Sequence, residues 1–165
     1  MTEGGDAGAD PIDRAPPIAF FLSGESFLKC ATYAHEALDA KTLRLRFHMP
    51  VYYLYSHAIE LIFKAFLRAK GLTEKELQFR AWGHDLLKLW EGCVERGLAL
   101  DLPTRLEAGA VIDLLASYAT NYEFRYVKVG AKTLPTLGVV REAAQALQAA
   151  IKPTVVATVG KPILD

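Results

Sequence analysis

The chain has 165 residues, of which 52% are apolar and 23% charged. That is enough for one domain of ordinary size, burying about 70% of the surface its unfolded form exposes, with no need of a metal or disulfide staple. Lys and Arg balance Asp and Glu at 19 each, which excludes the global electrostatic attraction of a dedicated nucleic-acid binder, so any RNA or DNA contact must be local.

The first 17 residues are rich in Gly, Ala, Asp and Pro and lack the basic region and apolar run of a secretory signal, so 1–17 reads as a disordered tail. A first helix is expected over 20–39, where Phe20, Phe21, Phe27, Leu28, Ala31, Ala34 and Leu38 recur at helical spacing and Ser23 or Ser26 offers a cap. Cys30 falls in this pattern and Cys93 in a later one. With no Cys/His cluster to suggest zinc, both are expected as buried thiols rather than a bridge or a nucleophile. Residues 43–49 alternate Leu43, Leu45 and Phe47 with Arg44, Arg46 and His48, which predicts an extended connector with one basic edge.

A central helix is predicted over 50–70, started by Pro50 and stopped by Gly71. At 100° per residue, His57, Glu60, Lys64 and Arg68 fall within roughly 80° of one another, opposite Tyr55, Ile59, Ile62, Phe63 and Phe66. The run 51–67 is nearly long enough to span a bilayer, but His57, Glu60 and Lys64 interrupt it, and a central lysine alone costs about 2.5–3.5 kcal/mol. A buried helix is the better account, and a cytoplasmic location without membrane attachment is expected.

A short helical turn is predicted over 73–79. A third full helix starts near His84 or Asp85 and ends at Gly97, burying Leu86, Leu89, Trp90, Cys93 and Val94. It is expected to run antiparallel to the central helix after a short link, bringing its amino end to the polar stripe. A fourth helix is predicted over 101–121 with Leu106, Val111, Leu114, Leu115 and Tyr118 inward. An extended excursion over 122–138 follows, then a last helix over 136–151 stopped by Pro153. Residues 18–152 thus form the folded domain and 153–165 a second tail.

The helix-length segment 55–67, the Gly-His-Asp-Leu at 83–86 and the Arg-Tyr pair at 125 and 126 together resemble the bacterial HEPN-like helical proteins over about residues 20–150. The resemblance implies an all-α bundle of four or five helices, here with an extended excursion before the last one, often paired into a homodimer. Its members include RNA-cleaving enzymes and nucleotide- or partner-binding modules. The catalytic members carry a closely spaced Arg and His late in the bundle. The four histidines here are His35, His48, His57 and His84, and the nearest substitutes, Arg80 with His84 and Arg44 with His48, both lie early. The resemblance therefore implies a noncatalytic module for nucleotide or RNA that needs no cofactor and no metal. The alternatives are an RNA-cleaving enzyme with a rearranged Arg/His site and a structural subunit for a protein partner.

The candidate ligand-binding residues are His57, Glu60, Lys64, His84, Asp85, Arg125 and Tyr126. Functionally, Glu60 beside Lys64 would orient an imidazole for acid/base work or for gripping a phosphate. The plainer reading is a structural polar network or a solvated i,i+4 pair. Asp85 can line a cleft or cap its helix. The interleaved Tyr122, Phe124, Arg125, Tyr126 and Lys128 suit stacking with phosphate contacts, or rings laid over the bundle with charges in water. Tyr52, Tyr53 and Tyr55 are expected in the core or at a twofold contact.

Overall fold

The computed structural model describes residues 15–78, 82–119 and 133–160. Among these residues the secondary structure is entirely helical: α1 Pro17–Asp39, α2 Met49–Ala69, α3 Glu74–Gln78, α4 Leu86–Glu95, α5 Leu102–Ala119 and α6 Leu137–Val156. Five are long and α3 is a single short turn of helix, in accord with the all-α expectation. No helix among the described residues is long and apolar enough to cross a membrane.

The centre of the bundle is α2, which packs against α1, α4, α5 and α6. Its sequence explains the position: Tyr55, Ile59, Ile62, Phe63 and Leu67 are completely buried, and Val51 and Phe66 nearly so. An apolar surface that runs almost all round a helix can be satisfied only by neighbours on every side. The closest neighbour is α1, and Gly24 permits the approach. A Cβ there would stand 2.9 Å from Ile62 Cγ1 and 3.1 Å from the Ala58 carbonyl oxygen, so any larger residue would push the two helices apart.

Several boundaries differ from the sequence reading. Helix α1 begins at Pro17, where proline suits the first turn, and Ser26 lies inside it with Oγ donating to the Leu22 carbonyl. Ala15 is anchored, its N-H donating to Glu74 Oε2 and its carbonyl accepting from Arg68 Nε, so the expected 1–17 tail is ordered at its last residues. Residues 1–14 of that tail lie outside the described residues. The connector 40–48 is a series of turns and bends, with Lys41 in the left-handed region at φ 59°. Pro153 does not stop the last helix. It sits inside α6, and buried Ile151 and Val155 on either side of it keep the helix on the core. The expected boundary at 153 therefore falls inside α6, which runs to Val156.

Two packing expectations are also corrected. In α5 the buried residues are Ala108, Val111, Ile112, Leu115 and Ala116, while Leu106 and Leu114 are exposed. The i, i+3, i+4, i+7 set 108, 111, 112, 115 defines the inner face, and those two leucines fall off it. Cys30 is exposed, because it follows Lys29 on the outer side of α1, away from Leu28 and Ala31. Cys93 is buried as expected: its thiol donates to the Phe63 carbonyl oxygen at 3.7 Å, and burial pushes its pKa far up. Such a thiol is inert.

Candidate functional site

The polar stripe of α2 lies within the bundle. Glu60, Lys64 and Arg68 are all buried, which rules out the solvated-edge reading and leaves the network. Successive turns place Lys64 over Glu60, and Lys64 Nζ donates to Glu60 Oε1 at 2.8 Å. The same oxygen accepts from His84 Nδ1 at 2.9 Å. His57 Nδ1 stands 3.6 Å from Glu60 Oε2, too long for a hydrogen bond but close enough for attraction when the imidazole is charged.

Burial alone would push the Glu60 carboxyl up. His57, Lys64 and His84 around it outweigh that penalty and hold it down, from 4.5 to about 2. Glu60 is therefore ionised at neutral pH and can only accept. It follows that His84 Nδ1 carries the proton and that Nε2 is the nitrogen left for other partners. His84 is 47% exposed against 21% for His57 and 6% for Glu60, so among the described residues this ring is the most exposed member of the cluster.

The loop before α4 holds His84 in place. Trp82 lies against α4 where Gly92 leaves room: a Cβ on Gly92 would overlap Trp82 Cζ3 and Cη2. The Arg96 guanidinium covers the same ring at 5.4 Å. Gly83, at φ 36°, makes the turn between Trp82 and His84. His84 meets Glu60, Trp90 and Cys93 both meet Phe63, the ring centroids of Trp90 and Phe63 being 5.9 Å apart, and Gly92 faces Leu67. The residues just before α4 thus reach the stripe at Glu60, and the link to them from α2 is not short. The connection 70–85 contains α3 and is long enough to carry the chain back to the level of Glu60 first.

Four of the seven candidate residues, His57, Glu60, Lys64 and His84, come together. Asp85 takes the capping role: Oδ1 accepts from the Lys88 N-H at 3.2 Å and Oδ2 lies 3.5 Å from Lys88 Nζ. Arg125 and Tyr126, with the rest of the aromatic and basic segment 122–128, lie outside the described residues. Arg68, the last member of the stripe, is structural: Nη1 donates to the Leu72 carbonyl oxygen and Nε to that of Ala15, tying the ends of α2 and α1 together. His57 is enclosed by Phe27 edge-on at 4.5 Å and by Tyr53 stacked at 5.8 Å. The Tyr53 contact is an i,i+4 neighbour readable from spacing. The Phe27 contact crosses between helices and leaves no signal in either segment.

Among the described residues no group of His, Cys, Asp and Glu is arranged to hold a metal ion. The tyrosines at the start of α2 are not available for a twofold contact as a set: Tyr55 is fully buried, and Tyr52 is buried with its hydroxyl donating to the Pro135 carbonyl oxygen at 2.7 Å. No protein-family model, curated protein or solved structure matches the chain.

Proposed function

We propose that the protein is a noncatalytic helical binding module that takes a phosphate-bearing ligand, a nucleotide or RNA, at the mouth of the Glu60 cluster. The observation that carries this reading is the single Glu60 oxygen shared by Lys64 and His84, with the His84 ring half exposed above it. A buried, ionised carboxylate fixes the orientation of that imidazole, and a protonated His84 then directs Nε2-H outward at an anion. The HEPN-like resemblance supports the same ligand class and adds self-association into a homodimer to the proposal.

Thermal shift against nucleotides and short RNAs tests it, since a ligand that binds only the folded state raises its stability by about 2.7 kcal/mol at a hundred times Kd. The expected result is a salt-sensitive shift with the RNA left intact, abolished by His84→Ala. His84 is largely outside the core, so this variant should fold. No shift with any of these ligands, or an undiminished shift in His84→Ala, would remove the proposed site.

One feature favours a second reading, the rearranged RNA-cleaving enzyme. A carboxylate-oriented imidazole with a free, accessible nitrogen is the arrangement used for general acid/base transfer. Cleavage of RNA by the pure protein, lost in His84→Ala while the helical signal and melting temperature persist, would decide for it over the binding module.

A further inference from the structure

A separate groove lies at the other end of α2, between the carboxyl end of α1, the connector 40–48 and the start of α6. Its volume is about 470 Å³, within the size range of small-molecule sites. Leu38, Leu43, Leu45 and Leu137 give it an apolar wall, and Lys41, Arg44 and His48 line it with basic groups. Among the described residues none of these three side chains has a hydrogen-bond or ion-pair partner. Asp39 is the one acidic side chain in the lining; it is 69% exposed, with Oδ2 3.5 Å from His35 Nε2, so the three basic groups outnumber it. His35 is itself buried, with Nδ1 3.3 Å from the Tyr55 hydroxyl. The groove also borders the first turn of α2, whose positive dipole end adds to the basic character, although Pro50 has no N–H and those of Val51 and Tyr52 donate to the His48 carbonyl oxygen.

We infer that this groove binds a small amphipathic anion, a short apolar body carrying a phosphate or carboxylate head. The leucines exclude water from the body, while Lys41, Arg44 and His48 meet the head. Of the lining residues, His35 is buried and is held from behind by the Tyr55 hydroxyl in the α1–α2 interface. Nothing in this inference depends on Glu60 or His84, so it stands or falls apart from the binding module proposed above.

The test uses the full chain and three probes: hexyl phosphate, hexylamine with a similar tail and opposite charge, and inorganic phosphate with no tail. Binding is followed by calorimetry in low salt, in wild type and in a Lys41→Gly/Arg44→Ala variant. Glycine suits the left-handed backbone at position 41, and Arg44 is exposed, so the variant should fold. The expected result is saturable binding of hexyl phosphate, at least tenfold weaker in the variant, with inorganic phosphate weaker still and hexylamine not bound. Hexanoate in place of hexyl phosphate then separates phosphate from carboxylate preference. No saturable binding of hexyl phosphate or hexanoate, equal affinity in the variant, or hexylamine binding as tightly as hexyl phosphate would overturn the assignment. Hexyl phosphate binding lost in His84→Ala but retained in the Lys41→Gly/Arg44→Ala variant would place the probe at the Glu60 cluster and overturn the assignment.

Discussion

Glu60 concentrates the consequences of single residues, because one buried carboxylate satisfies Lys64 and His84 at once. Its pKa is depressed in the folded chain, so it binds its proton less readily there than when unfolded. The stability it contributes is complete above about 4.5 and is lost as pH falls through about 2. A shift of this size corresponds to about 3 kcal/mol. Glu60→Gln should lower the melting temperature strongly at pH 7, since removing one member of a buried pair costs about 3–5 kcal/mol. It should also flatten the decline between pH 4.5 and 2, measured by thermal unfolding of both proteins across that window. Parallel declines would mean that the carboxylate is not paired. Ser56 is the opposite case: its buried Oγ finds no hydrogen-bond partner among the described residues. Ser56→Ala should therefore leave thermal stability unchanged or raise it, because a buried hydroxyl without a partner has already lost its water. A clear fall in melting temperature would show a bond to that oxygen.

At the scale of the helix, α4 and its preceding loop decide where His84 stands. Gly92→Ala separates two effects of opposite sign. Alanine is the better helix former by about 0.5–1 kcal/mol, yet its Cβ would occupy the space of the Trp82 ring. The expected outcome is net destabilisation with a red shift of Trp82 emission, read in a Trp90→Phe background. A stabilised variant with unchanged emission would mean that Trp82 is not seated there. The same elements show what was legible beforehand. The stripe on α2 follows from a fixed 100° step, so His57, Glu60 and Lys64 could be placed together from spacing alone, and His84 joins them as anticipated. The path that brings His84 there was not legible, because the link from α2 to α4 contains α3 and is longer than the short one assumed. Leu106 and Leu114 show a related limit: in α5, apolar residues occupy both sides, so composition without a dominant periodicity does not identify the inner face. Pro153 shows that burial of Ile151 and Val155 can carry a helix past a residue that locally disfavours it.

Across the whole molecule, stability depends on α2 being enclosed, and the polar cluster inside that enclosure is tolerable because Glu60 is paired with Lys64 and His84. Phe63 is the sharpest probe. It is fully buried, its ring meets Trp90, and its carbonyl accepts from Cys93, so it joins the centre of the bundle to α4. Phe63→Ala removes the ring and leaves a cavity between two helices that cannot both move in, at a cost of about 3–5 kcal/mol. For a chain of this length each kcal/mol shifts the melting temperature by about 2–4 °C, so a drop of about 10 °C is expected. Lys70 provides the control at the end of the same helix. It is exposed, and its ammonium lies over the Phe66 ring at 5.2 Å, a contact contributing about 0.5–1 kcal/mol at such a site. Lys70→Ala should therefore shift melting by only a few degrees. Calorimetric scans of the two variants at one pH make the comparison directly. Equal melting temperatures would mean that α2 is not the enclosed centre of the fold, and a buried Glu60 cluster would lose its physical basis along with it.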